Sequence, residues 1–98
     1  MTIEKTLKGS TLNVVLSGRL DTITAPQLEA ELKASLDGIT ELILDFQNLE
    51  YLSSAGLRVL LAAQKVMNRQ GTMTVMHVSD TVQEIFEVTG FIDILTIA

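Results

Sequence analysis

Cysteine and tryptophan are absent from the 98-residue chain, proline and histidine occur once each, and aromatic residues make up only 4%. Without cysteine there is no disulfide, no thiolate zinc site and no cysteine nucleophile, so packing must stabilise the fold. The four rings, Phe46, Tyr51, Phe86 and Phe91, are too few for a base-stacking platform. Basic residues are also scarce and scattered, seven against twelve acidic ones, for a formal charge of -5. Nucleic acid and anionic membrane both select clustered Lys and Arg, so neither is an expected partner. Although 47% of the residues are hydrophobic, no run approaches the ~20 apolar residues of a membrane-spanning helix. Met1–Leu7 carries Glu4 and no apolar stretch follows its lysines, which is unlike a signal peptide; a cytoplasmic location is the expectation. No composition shift, low-complexity linker or repeat divides the chain, and one domain over residues 1–98 is expected.

What is present is strong periodicity with one chemically distinctive junction. Leu42-Ile43-Leu44-Asp45-Phe46 reads as a buried strand, residues 47–52 as a connection, and Leu57 onward as a helix. Upstream, Met1–Leu7 and Thr11–Ser17 flank Lys8-Gly9-Ser10 as a hairpin, and Leu12, Val14 and Leu16 give the second strand one apolar face. Residues 18–22 break that period and form a loop around Asp21. Thr24-Ala25-Pro26-Gln27 has the form of a helix start with Thr24 as cap; Leu28, Leu32 and Leu36 line one face and Asp37-Gly38 ends it. The second helix is expected from Ser54 to about Asn68, a strand over Thr72–Val78, a third helix capped by Ser79-Asp80 and ending before Gly90, and a last strand within Phe91–Ala98. Strand-helix-strand units of this length require parallel pairing, whereas the hairpin adds an antiparallel pair. The result is an α/β fold: a mixed sheet of four to five strands with helices mainly on one face.

The inventory of reactive groups is short. His77 is the only histidine and sits within an expected strand, with no carboxylate or serine placed beside it, so it reads as a strand-face residue without catalytic duty. Asp21 and Asp45 lie at strand ends, where loop sites of open sheets gather; Asp45 also suits a turn former that ties backbone amides. No glycine-rich phosphate loop, metal-ligand spacing or nucleophile elbow occurs, so neither catalysis nor a cofactor is expected. Ser53-Ser54-Ala55-Gly56 begins the second helix. On spacing alone Ser54 is an N-cap. The same place also suits a phosphate, because exposed amides and the positive helix end hold an added dianion without melting the helix.

Three blocks carry a resemblance: Leu16-Ser17-Gly18-Arg19-Leu20-Asp21, then Leu44-Asp45-Phe46-Gln47-Asn48-Leu49-Glu50-Tyr51-Leu52-Ser53-Ser54-Ala55-Gly56-Leu57, then Thr89-Gly90-Phe91. In this order they resemble the STAS domain of bacterial anti-sigma-factor antagonists, and the likeness spans essentially the whole chain. The resemblance implies a partner-switching cycle without an enzymatic role for this chain. The unphosphorylated antagonist binds a serine-kinase anti-sigma factor and releases a sigma factor; the kinase phosphorylates the antagonist, and a metal-dependent serine phosphatase resets it. By position the phosphoacceptor is Ser54, with Ser53 as the alternative because it stands where many relatives have aspartate. The implied partner-binding set is Asp21, Thr22, Ser53, Ser54, Ala55, Gly56 and Arg58. A STAS subunit of a stressosome-like or transporter-associated complex is the other reading.

Overall fold

The computed structural model describes all 98 residues. The elements run β1 (Thr2–Lys8), β2 (Thr11–Leu20), α1 (Ala25–Ser35), β3 (Glu41–Leu52), α2 (Ser54–Gln70), β4 (Thr72–Met76), α3 (Asp80–Thr89), a 3-10 turn (Phe91–Asp93) and β5 (Thr96–Ile97). They form one five-stranded sheet in the order β1-β2-β3-β4-β5. The β1–β2 hairpin is antiparallel, and β2, β3, β4 and β5 pair in parallel. Three crossovers that advance in one direction, each with the usual right hand, lie on the same side of the sheet. The strands therefore turn Leu12, Val14, Leu16, Leu42, Leu44, Phe46, Met73 and Val75 toward one core of 24 buried residues.

Each helix contributes a stripe to that core. Leu28, Leu32 and Leu36 are buried from α1, and Leu57, Leu60 and Met67 from α2. In α3 the buried Phe86 meets Phe46 of β3, with ring centroids 6.4 Å apart. The Gln70 amide at the end of α2 donates to the carbonyls of Leu36 and Ile39, both at 2.6 Å, which ties α2 to the segment leaving α1. Two residues later β4 begins against the same segment, the Thr72 amide donating to the Thr40 carbonyl at 3.0 Å. A Cβ at Gly71 would lie 1.8 Å from the Thr40 carbonyl oxygen, so only glycine allows this approach.

Both central strands are longer than the sequence pattern implies. β2 runs on through Leu20 instead of ending at Ser17, and β3 through Leu52 instead of Phe46. Along β3 the buried positions alternate as Leu42, Leu44 and Phe46, then change spacing to Leu49 and Leu52. The pairing explains the change. Val15 is opposite Asp45 but Ser17 is opposite Asn48, and Gly18 is opposite Leu49 but Arg19 is opposite Tyr51. Each shift inserts one extra residue into β3, a bulge that resets which face the next side chain joins. Two bulges thus make a continuing strand look like a loop.

β4 differs in the other direction, ending at Met76 and not at Val78. His77 takes a left-handed φ of 58° that no strand accommodates. The last strand is only two residues, Thr96–Ile97, on the edge of the sheet.

Candidate functional site

The register of β2 and β3 builds the site. Arg19 pairs with Tyr51 and Leu20 with Leu52, so residues 21 and 53 leave the sheet side by side. The junction is stitched by the Ser53 amide, which donates to the Leu20 carbonyl at 2.9 Å. Two segments far apart in sequence, the turn Asp21–Thr24 and the start of α2, therefore share one end of the sheet.

Asp21 organises the first segment. Its Oδ1 accepts from the Ile23 amide at 3.0 Å, the Thr24 amide at 3.0 Å and the Thr24 hydroxyl at 3.2 Å. The Thr24 hydroxyl donates to the Arg19 carbonyl at 2.7 Å and accepts the Asp21 amide at 2.9 Å. Thr24 is the N-cap residue of α1 by position but makes no side-chain bond to a helix amide, contrary to the sequence expectation. Its oxygen is used to close the turn before the helix. The Thr24 amide holds the Asp21 carboxyl below the usual aspartate range against the opposing effect of desolvation; the Ile23 amide, the Thr24 hydroxyl and Arg19 add to the lowering. The same aspartate faces Arg19, Nε to Oδ2 at 3.7 Å, and the Arg19 guanidinium lies 4.1 Å above the centre of the Tyr51 ring. This cation–π contact follows directly from the Arg19–Tyr51 register.

The start of α2 resolves the two serines. Ser53, half-buried, is the N-cap, and its Oγ accepts the Gly56 amide at 3.3 Å. Ser54 is the first helical residue and is exposed, so the sequence assignment of the cap to Ser54 is off by one. Leu57 N bonds the Ser53 carbonyl at 3.0 Å. Helix geometry leaves the Ser54 and Ala55 amides as the unpaired donors at this end. Arg58 is exposed four residues on, one turn along from Ser54 on the same helix face. Ala55 is half-buried, and Gly56 is buried where α2 presses on the sheet. A Cβ at Gly56 would lie 2.7 Å from Leu52 Cδ1 and 2.8 Å from Leu20 Cγ. The helix start lies flat on the strand ends because this residue has no side chain.

Of the sequence candidates, Asp21, Thr22, Ser53, Ser54, Ala55, Gly56 and Arg58 thus fall on these two adjoining segments. Asp45 and His77 do not. Asp45 is eight positions back along β3 from Ser53, and His77 follows Met76, the partner of Asp45 at the end of β4, on the order of 20 Å from the junction at the rise of an extended strand. There the His77 Nδ1 and Asp45 Oδ1 are 2.9 Å apart, which corrects the expectation that the histidine has no carboxylate beside it. Asp45 Oδ1 also accepts the Gln47 amide at 2.9 Å across the first bulge, in keeping with its reading as a residue that ties backbone. Desolvation pushes the Asp45 carboxyl up, but the Gln47 amide and the His77 ring outweigh it and leave it below the ordinary range. Sequence reasoning missed Tyr51 and Ile23 as surface residues of the site. Tyr51 was hidden inside a presumed loop, and the exposure of Ile23 had no periodic signal at all.

A mixed five-stranded sheet in sequential order, with this junction at one end, defines the fold as α/β. The chain belongs to the STAS domain family: the family described as "Mlab, STAS domain" matches residues 3–96. Among curated proteins it is 42% identical over 85 residues to BtrV of Bordetella bronchiseptica, named as an anti-sigma factor antagonist, covering 85% of this chain and 73% of that one. It is 30% identical over 97 residues to the anti-sigma-B factor antagonist of Staphylococcus aureus, covering 97% and 90% of the two chains. Among solved structures it superposes on the anti-sigma factor antagonist SpoIIAA. The unphosphorylated form gives a TM-score of 0.85 at 21% identity, covering 99% of this chain and 88% of that one. The phosphorylated form, from Bacillus, gives 0.77 at 20% identity, covering 99% and 91%. No helix of the chain is long and apolar enough to cross a membrane.

Proposed function

We propose that this protein is an anti-sigma-factor antagonist that works by docking, not by catalysis. Its unphosphorylated form binds a serine-kinase anti-sigma factor through the Asp21–Thr24 turn and the start of α2. Phosphorylation of Ser54 ends that binding, and a metal-dependent serine phosphatase restores it. This assigns the protein to the cytoplasm, where its sigma factor acts.

The observation that carries the reading is the division of labour between two adjacent hydroxyls. Ser53 is occupied in capping and half-buried, whereas Ser54 is exposed on the first turn. In the transfer, the Ser54 oxygen bonds the γ-phosphorus of ATP, the bond to the bridging oxygen breaks and ADP leaves. A base on the kinase takes the serine proton. The product adds about -1.5 to -2 charge. The unpaired Ser54 and Ala55 amides, the helix dipole and Arg58 one turn on all favour that charge, so the phosphorylated chain stays folded. A partner that docks flat here without a cation of its own would strip water from the phosphate and leave its outward oxygens unpaired. Burying an unpaired charge in the interface costs several kcal/mol, enough to weaken binding by orders of magnitude.

The test is a titration of the anti-sigma kinase encoded in the same genome against the wild type, Ser54→Ala and Ser54→Asp. The reading expects Ser54→Ala to bind and resist ATP-driven release, and Ser54→Asp to lose at least tenfold in affinity while keeping its circular dichroism spectrum. Undiminished binding by Ser54→Asp would contradict it.

A further inference from the structure

We propose that Ile23 is the apolar anchor of this docking surface, a fixed peg that enters a hydrophobic socket on the anti-sigma kinase. The inference rests on the docking reading above. Ile23 is 86% exposed, more than any other large apolar side chain of the molecule; Val88 follows at 80% and Leu7 at 62%. A single exposed isoleucine is unremarkable by itself. What distinguishes this one is its mounting.

Its amide is held by Asp21 Oδ1, and the same oxygen holds the next amide, Thr24. The Thr24 hydroxyl fastens the turn to the Arg19 carbonyl, and the Ala25 amide donates to the Asp21 carbonyl at 2.8 Å. The backbone beneath Ile23 is thus ordered before any partner arrives, so docking spends little on ordering the loop. Its surroundings are the exposed Thr22 on one side and, across the strand register, the start of α2 that carries Ser54. An exposed apolar group flanked in the chain by Thr22 and Thr24, on a turn that adjoins the start of α2, matches the anatomy of an interface hot spot, where a few anchors carry most of the energy.

The occupant is a different protein and not a second copy of this chain. Pairing two copies through this turn would set Asp21 near Asp21 between molecules that each carry a net charge of -5. The kinase, which must already approach Ser54 closely, reaches Ile23 in the same encounter.

The proposal separates from the switch reading in one binding experiment, in which the anti-sigma kinase of the same genome is titrated with Ile23→Ala, Ile23→Val, Val88→Ala and Ser54→Asp. Ile23→Ala is expected to bind about 30-fold more weakly, the scale of a hot-spot truncation, with an unchanged melting temperature because the side chain packs on nothing. Ile23→Val should recover most of the affinity and Val88→Ala all of it. If Ile23→Ala binds within twofold of the wild type while Ser54→Asp does not bind, the anchor is wrong and the switch survives. If Val88→Ala weakens binding as much as Ile23→Ala, the assignment to this turn is also wrong. If Ser54→Asp binds like the wild type, the failure belongs to the switch itself. Loss of self-association in Ile23→Ala with kinase binding unchanged would overturn the choice of partner.

Discussion

Two neighbouring serines with the same chemistry do different work here, and the difference is positional. Ser53 caps α2 and Ser54 stands exposed on its first turn. Ser53→Ala is therefore expected to lower stability by about 1 kcal/mol, the usual loss of a cap. Ser54→Ala should change it little, and chemical denaturation of the two variants checks the contrast. The sequence places a helix start at the Ser-Ser pair and gives the cap to Ser54, one residue too late, because periodicity locates a boundary only to within a residue or two. The correct choice comes from the Leu20–Leu52 register, a long-range fact. His77 makes the same point. Its lack of a sequence neighbour concealed Asp45, which the β3–β4 pairing brings opposite Met76. Both Asp21 and Asp45 have carboxyl groups held below the ordinary aspartate range. A folded-state value below the unfolded one adds stability that is complete above the unfolded value and lost as pH falls through the folded one. The melting temperature should therefore hold level above about pH 5 and fall below about pH 4, and Asp45→Asn should flatten part of that fall.

The elements were legible where side chains keep their period and illegible where the backbone departs from it. The hairpin, the apolar face of α1 and the Ser79 cap of α3 all stand where the pattern puts them; the Ser79 hydroxyl accepts the Val82 amide at 3.2 Å. The sequence pattern ends β3 early because its two bulges shift Leu49 and Leu52 off the two-residue alternation. The bulges also lengthen β3 enough to deliver Ser53 beside Asp21, so the feature that hid the strand is part of what makes the site. Gly56 then lets the helix settle onto Leu20 and Leu52. Gly56→Ala is expected to cost about 1–3 kcal/mol through overpacking. It should also weaken kinase binding by lifting the helix start, which a thermal melt run beside a titration would reveal. Unaltered stability would mean that Leu20 and Leu52 yield without cost.

At the scale of the whole molecule, sequential strand order puts α1, α2 and α3 on one face of the sheet and gathers the Asp21–Thr24 turn and the start of α2 at one end of β2 and β3. Under the proposed switch, that arrangement separates what stabilises the protein from what would regulate it. The core of 24 residues lies between sheet and helices, whereas Ser54 projects from the rim. A dianion added there would touch no core contact and would meet a helix end that favours it, so the proposed switch is expected to alter recognition and not folding. The broad α/β plan and the membership of the STAS family were readable from the residues, since both rest on order and local pattern. The stitching of the turn to the helix was not, since it rests on register.

The most direct test incubates the protein with ATP, magnesium and the anti-sigma kinase of its own genome, maps the phosphate by mass spectrometry, and measures kinase affinity and melting temperature on the purified product. The account predicts a single phosphate on Ser54, loss of kinase binding and a melt within a few degrees of the unmodified protein. Phosphate on Ser53, or a Ser54-phosphorylated protein that still binds or no longer folds, would contradict it.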